Sequence, residues 1–261
     1  MEQNNWIPVL IELAKKAGEV IKTGFSTSKT VNQKSSAMDI VTEYDTRVED
    51  LLIDEIKKSY PEHLVLGEEH EYLGNGTFGK FLPDEGYIWV IDPIDGTLNF
   101  ASGIPLLAVS IALFYNGEPI AGVVYNPLIN EMFTAQKGMG ATLNNQRIQV
   151  KESESLERSI VGVSVARRKQ DVELQKLADR VGGMRALGTA AIALAYVAAG
   201  RLDAYWEKDL NLWDIAAGML LIQEAGGRVL ISNHDNAYPI KISEVFAGNL
   251  KVDRFIEIIR S

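Results

Sequence analysis

Two aspartates, Asp92 and Asp95, stand three residues apart in the stretch WVIDPIDGTLNF at positions 89–100. The residues before them, Tyr87 to Ile91, read as a buried strand, and strand ends are where sheets present functional groups. Pro93 cannot donate to a ladder and is expected to stop that strand and hold a turn. Both carboxylates can then converge, with the Ile94 carbonyl facing the same point. Carboxylates, a carbonyl oxygen and water are the ligands of a hard divalent cation such as Mg2+. Gly96 and Thr97 follow at a predicted helix start, where backbone N–H groups and a hydroxyl suit an anion. A cation site touching an anion site is what phosphate-ester chemistry requires.

Other acids occupy comparable places. Asp45, the pair Glu68 and Glu69, and Glu207 with Asp214 each fall at a strand end or a helix start. Any one alone also reads as a cap or a solvated charge, and Asp214 in NLWDIAAG looks like an ordinary first-turn acid. No Ser-His-Asp arrangement competes. The three histidines, His63, His70 and His234, lie in no nucleophile motif and read as surface or loop residues.

The elements that must position these acids follow from periodicity. Trp6, Val9, Leu10, Leu13, Ala17, Val20 and Ile21 fall at helical spacing, so the N-terminus reads as an amphipathic helix and not as a secretory signal. Residues 27–39 are polar and read as a mobile loop containing a short strand, which Ile40 and Val41 close. Thr42 suits a helix N-cap, with Asp45 in the position of a capping-box acid, and Pro61 ends that helix. HLVLGEE reads as a short strand delivering Glu68 and Glu69, and residues 70–86 as loop. From Tyr87 to Val150 strands alternate with turn signals, which predicts an antiparallel meander. The charged KESESLERS at 151 is the expected junction, and beyond it strands and helices alternate. The expectation is an α+β region over 1–150 bearing the metal-binding motifs and an α/β region over 151–261 completing the site, in a layered sandwich. No internal repeat or low-complexity tract is evident.

Bulk properties set outer limits. With 261 residues, 46% of them apolar, the chain can bury the core of one large domain or two modest ones. The net charge of -9, with both signs spread along the chain, argues against a nucleic-acid or anionic-membrane partner. It also suits a protein that gathers carboxylates around cations. Cysteine is absent, which rules out disulfides and thiolate metal sites and is compatible with the cytoplasm. The longest apolar stretch, Ala186 to Gly200, falls short of the roughly 20 residues of a membrane span and reads as a buried helix.

DPIDGTLNF resembles the signature of the inositol monophosphatase family, the Mg2+-dependent, lithium-sensitive phosphomonoesterases. GEEH at 67, MDIVTEYD at 38 and LNLWDIAAGMLLIQEAGG at 210 resemble further motifs of that family, in the family's order. The resemblance implies an α-β-α-β-α sandwich of the inositol monophosphatase / fructose-1,6-bisphosphatase type with two or three Mg2+ ions. It implies a first ion on Glu68, Asp92 and the Ile94 carbonyl, and a second on Asp92, Asp95 and Asp214, with Asp92 bridging. A third, weaker ion would lie near Glu68 and Glu69. Asp45 and Thr97 match the pair that assists water activation, with Glu68 beside them in the catalytic set. The Gly96 and Thr97 amides would bind phosphate. Asp95, Ala190 and Glu207 would line the hydroxyl-bearing part of the substrate, and Lys34 matches a basic residue after the first helix. A homodimer, and inositol monophosphate as substrate, are what the resemblance implies.

Other readings stay open. A fructose-1,6-bisphosphatase or NADP or nucleotide phosphatase of the same superfamily would use Arg167 and Arg168 of SVARRK to grip a second phosphate. The same arginines equally suit a solvated loop flanking the next helix. A non-catalytic phosphoryl-ligand sensor can share the fold, but Asp45, Thr97 and all the acidic ligands are present here. A nuclease would share the metal chemistry, and the acidic chain without a basic track argues against it.

Overall fold

The computed structural model describes residues 5–27, 31–36, 39–70, 82–152, 155–164, 172–232, 238, 240–249 and 253–260, with only the backbone over 31–36 and 39–41. Helix α1 (Ile7–Phe25) buries Leu10, Leu13, Ala17 and Ile21, the predicted stripe. Strands β1 (Val31–Ser36) and β2 (Asp39–Thr42) form an antiparallel ribbon. Helix α2 (Glu43–Ser59) opens on a capping box in which Thr42 and Asp45 satisfy each other's backbone amides. Strand β3 (Leu64–Gly67) delivers the chain to Glu68 and runs parallel to β4 (Tyr87–Asp95).

Here one expectation fails. Strand β4 does not stop at Asp92 but continues through Pro93 to Asp95. Asp92 pairs with Ser110 and Asp95 with Ala108, so two residues of β4 face one of the neighbouring strand. Pro93 and Ile94 form a bulge, where a missing N–H costs no ladder bond. The proline therefore bends the strand instead of ending it.

After α3 (Thr97–Ser102) come the meander strands β5 (Ala108–Tyr115), β6 (Glu118–Asn126), β7 (Glu131–Gln136), β8 (Gly140–Leu143) and β9 (Gln146–Arg147). With β3 and β4 they make a seven-stranded sheet in simple order, antiparallel from β4 onward. The remaining elements are β10 (Ile160–Val163), α4 (Val172–Ala178), β11 (Gly183–Arg185), α5 (Ala190–Ala198), β12 (Ala204–Asn211), α6 (Leu212–Glu224), β13 (Arg228–Ile231), β14 (Lys241–Gly248) and α7 (Asp253–Arg260). Their strands form a mixed sheet ordered β11-β10-β12-β14-β13.

Alternation along the strands explains how these pieces stack. Trp89 and Ile91 of β4 join Leu10, Ile21 and Leu52 under α1 and α2. Ile88 and Val90 point the other way, into a core with α5, α6 and Tyr205, Val245 and Ala247 of the second sheet. Trp206 and Phe246 face a third core with Leu177 of α4 and Phe255 of α7. Helices α5 and α6 are apolar on nearly every face because both sides of them are covered by sheet. The outcome is the α-β-α-β-α sandwich. No helix among the described residues is long and apolar enough to cross a membrane.

Candidate metal and phosphate site

The bulge sets Asp92 where the strand meets the middle helix layer. Its side chain is 1% exposed, and Oδ1 has no hydrogen-bond partner among the described residues. Burial, followed by the charges of Glu68, Asp95, Asp214 and Asp45, holds its carboxyl well above the usual range. Asp214, in the first turn of α6, is likewise pushed well up by burial and then by Asp95. Its Oδ2 accepts the Asn211 amide at 2.7 Å, a capping contact that places this first-turn acid. Burial raises Asp95 to about 6, although the Thr189 hydroxyl and the Ala191 amide, both at 2.5 Å from Oδ2, pull it down.

Among the described residues no three acidic or histidine side chains already form a closed cage. What joins these acids is mutual repulsion across a buried site together with one orphaned carboxylate oxygen. Oxygen donors only, with excess negative charge, fit a hard divalent cation and not a thiophilic one.

Beside the acids lies a hydroxyl. Thr97 Oγ1 donates to Asp45 Oδ1 at 3.0 Å and also lies 3.1 Å from the Ile94 carbonyl. Asp45 is fully buried, and its Oδ2 accepts the amide and hydroxyl of Thr42. Desolvation outweighs these bonds and raises its pKa. Gly96, just before Thr97, has φ +93°, and a Cβ there would stand 3.1 Å from the Leu106 carbonyl. Only glycine suits both the left-handed backbone and that approach.

Four motif-bearing regions, around Asp45, Glu68, Asp92 and Asp214, therefore meet in space, and a single family model, the inositol monophosphatase family, matches residues 2–259. The chain belongs to the inositol monophosphatase family. It is 37% identical to an inositol-1-monophosphatase of Mesorhizobium japonicum, over 97% of this chain and 95% of that one. It is 39% identical to Nus factor SuhB of Pseudomonas aeruginosa, over 93% and 91%. Its structure resembles a Thermotoga maritima IMPase at TM-score 0.85 and 33% identity, over 97% and 96%.

For an inositol monophosphatase family member, several positioning contacts here escape motif reading. Asn99 Nδ2 reaches the carbonyls of Leu106 and Leu187 at 2.7 and 2.8 Å. With Thr189 on Asp95, it ties the turn before α5 to the start of α3. Asn99 lies inside DGTLNF, so a signal was present but carried no direction. Ala190 is buried at the start of α5, where its amide also bonds Asp95. Glu207, half-buried on β12, accepts the Tyr205 hydroxyl, and its charge acts on both Asp95 and Asp214.

Glu49 was missed altogether. It is fully buried one turn after Asp45, and its carboxylate accepts the amides of Glu69 and His70. Burial raises its pKa despite those bonds. The described histidines, His63 and His70, are loop residues with specific partners. His63 stacks between Tyr60 and Tyr87, at ring separations of 4.8 and 4.5 Å, and accepts the Trp89 indole N–H at 3.0 Å. His70 sits 3.2 Å from Glu49, through Nδ1. Both lie in loops as expected, with His70 exposed, but their ring and carboxylate partners are ones that no local pattern marks. Lys34 lies on β1 with its side chain outside the described atoms, and Arg167, Arg168 and His234 lie outside the described residues.

Proposed function

We propose that this chain is a Mg2+-dependent phosphatase that hydrolyses a small phosphomonoester, inositol monophosphate first, to the alcohol and phosphate. The observation that carries the reading is Asp92, a buried carboxylate with an oxygen unpartnered among the described residues and surrounded by the charges of Glu68, Asp95, Asp214 and Asp45. A site so loaded with one sign of charge calls for cations. Glu68, Asp92, the Ile94 carbonyl, Asp95 and Asp214 would hold them, with Glu69 beside a further one. When bound, Mg2+ lowers the pKa of a water and neutralises phosphoryl charge.

The chain's own residues supply the rest. Thr97 spends its proton on Asp45, which leaves the Oγ1 lone pairs to accept a proton from water. Asp45, less acidic than an exposed aspartate, is the proton's next stop. The Gly96 and Thr97 amides at the start of α3 suit phosphate oxygens, and Glu207 and the Ala190 region suit sugar or polyol hydroxyls. Membership of the family favours a homodimer and sensitivity to lithium, and the absence of cysteine is compatible with a cytoplasmic setting.

Phosphate release from inositol 1-phosphate, fructose 1,6-bisphosphate, NADP and an adenosine bisphosphate, with Mg2+ and with chelator, tests this. Turnover of inositol 1-phosphate that vanishes with chelator is expected. Turnover of none of the four, or turnover indifferent to chelator, overturns the proposal.

A further inference from the structure

We infer that Glu49 is a positioning residue that holds the Glu68–Glu69 turn in place for cation binding, an inference that rests on the reading above that these two glutamates hold cations. Glu49 Oε2 accepts the Glu69 amide at 2.9 Å, and Oε1 accepts the His70 amide at 2.6 Å and faces His70 Nδ1 at 3.2 Å. Both oxygens thus grip successive peptide groups of the turn that leaves β3. The side chain is wholly buried, which for a carboxylate is costly unless such donors receive it.

The neighbouring sequence is shaped around this carboxylate. A Cβ at Gly67 would stand 2.4 Å from both the Glu49 Cδ and Oε1, so the residue before Glu68 must be glycine for the contact to exist. Residues four apart share a helix face, so Glu49 sits one turn below Asp45 on α2. Asp45 itself is locked by the Thr42 capping box and bonds Thr97. One helix thereby sets two parts of the site, the hydroxyl pair through Asp45 and the acidic turn through Glu49. A purely structural tie between α2 and β3 needs only apolar contact. Gripping two consecutive amides fixes the backbone direction from which the glutamate side chains leave.

Glu49→Gln is the direct test, because glutamine keeps the volume but offers one acceptor and turns its NH2 against a backbone N–H. Mg2+ is titrated calorimetrically into the metal-free full chain without substrate, with Glu68→Gln as reference. Loss of an outer contact to a metal ligand typically weakens binding by about 10–100-fold, and that weakening is expected for Glu49→Gln together with a smaller Mg2+-induced rise in Tm. If Glu68→Gln weakens Mg2+ and Glu49→Gln lowers Tm in chelator but binds Mg2+ as wild type does, the inference is overturned and the cation reading stands. If Glu68→Gln itself leaves Mg2+ binding unchanged, the cation reading fails and takes this inference with it. Should Glu49→Gln not fold, amide hydrogen exchange of the wild-type chain decides. Protection of Glu69 and His70 before Mg2+ is added is expected, and exchange at unstructured rates until Mg2+ arrives overturns the inference.

Discussion

Thr97 Oγ1 stands 3.0 Å from Asp45 Oδ1, although 52 residues separate them in the chain. The contact joins the first turn of α3 to the first turn of α2, and each partner is anchored independently. Asp45 is held by the amide and hydroxyl of Thr42, and Thr97 by the left-handed Gly96 before it. Hydroxyl and carboxylate are thus set in advance of any substrate, which is the condition for a proton relay of fixed geometry.

Thr97→Ala should lower kcat by about 10²- to 10⁴-fold, the usual loss when a general-base contact is removed. The Mg2+ concentration for half-maximal rate should barely move, because the hydroxyl is spent on Asp45 and water. Thr97→Ser should recover most of the rate. Steady-state kinetics across Mg2+ concentrations check this, and near-normal turnover of the alanine variant takes Thr97 out of the mechanism.

Asp214→Asn keeps the oxygen that accepts the Asn211 amide but removes a full charge from the repelling set. The metal-free variant should therefore melt no lower than wild type. Saturating ligand at 100 times Kd adds about 2.7 kcal/mol per site, and the variant should lose much of that gain and need far more Mg2+ for activity. Thermal melts with Mg2+ and with chelator read both effects, and an unchanged Mg2+ dependence of turnover removes Asp214 from the ligands.

Folded Asp95 keeps its proton up to about pH 6, whereas an unfolded aspartate releases it near 3.8. Between those values the folded chain binds more protons, so its contribution to stability is full below the window and is lost as pH rises through it. Burial shifts Asp92 and Asp214 in the same direction. In chelator, the Tm of the wild type relative to Asp95→Asn should fall as pH rises from 4 to 6. Mg2+ binding should weaken as pH drops through the same range, since protons compete for the ligands. A wild-type-minus-variant Tm that stays flat with pH contradicts the assigned shift.

Asn99→Ala removes the bond from α3 to the Leu187 carbonyl in the turn before α5 and the bond to the Leu106 carbonyl ahead of β5. Leaving partly buried carbonyls unmet costs about 1–3 kcal/mol, so Tm should drop. The substrate's KM should rise more than kcat falls, because the turn carries Thr189 and Ala190 rather than the Asp45–Thr97 pair. Equal effects on the two constants would place Asn99 in the chemical step instead.

Much of the local structure was legible beforehand. The capping box at Thr42–Asp45 is a three-residue relationship that the chain reads out directly, and Asp214 was legible as a first-turn acid. So were the stripe of α1, the meander after Tyr87 and the all-apolar helix at Ala190, since periodicity reports burial. Pro93 was misread because a lone proline signals a stop equally well as a bulge. Only the register of Asp92 with Ser110 and Asp95 with Ala108 distinguishes them. His63 is a loop residue, but its stacking was not legible because its partners, Tyr60 and Tyr87, come from different parts of the chain.

The sequence by itself determined the kinds of ligand atom, the order of the motifs and the local caps that aim Asp45 and Asp214, because these depend on residues within one turn of each other. Tertiary structure alone decided that Glu49 grips the Glu69 and His70 amides, that Thr189 and Ala191 take one oxygen of Asp95, and that Asp92 Oδ1 is left without a partner among the described residues. Those contacts bridge about 20 residues in the first case and more than 90 in the second. Their distances are set by how helices and sheets pack, and a local pattern carries no record of which distant peptide group will be carried within 3 Å.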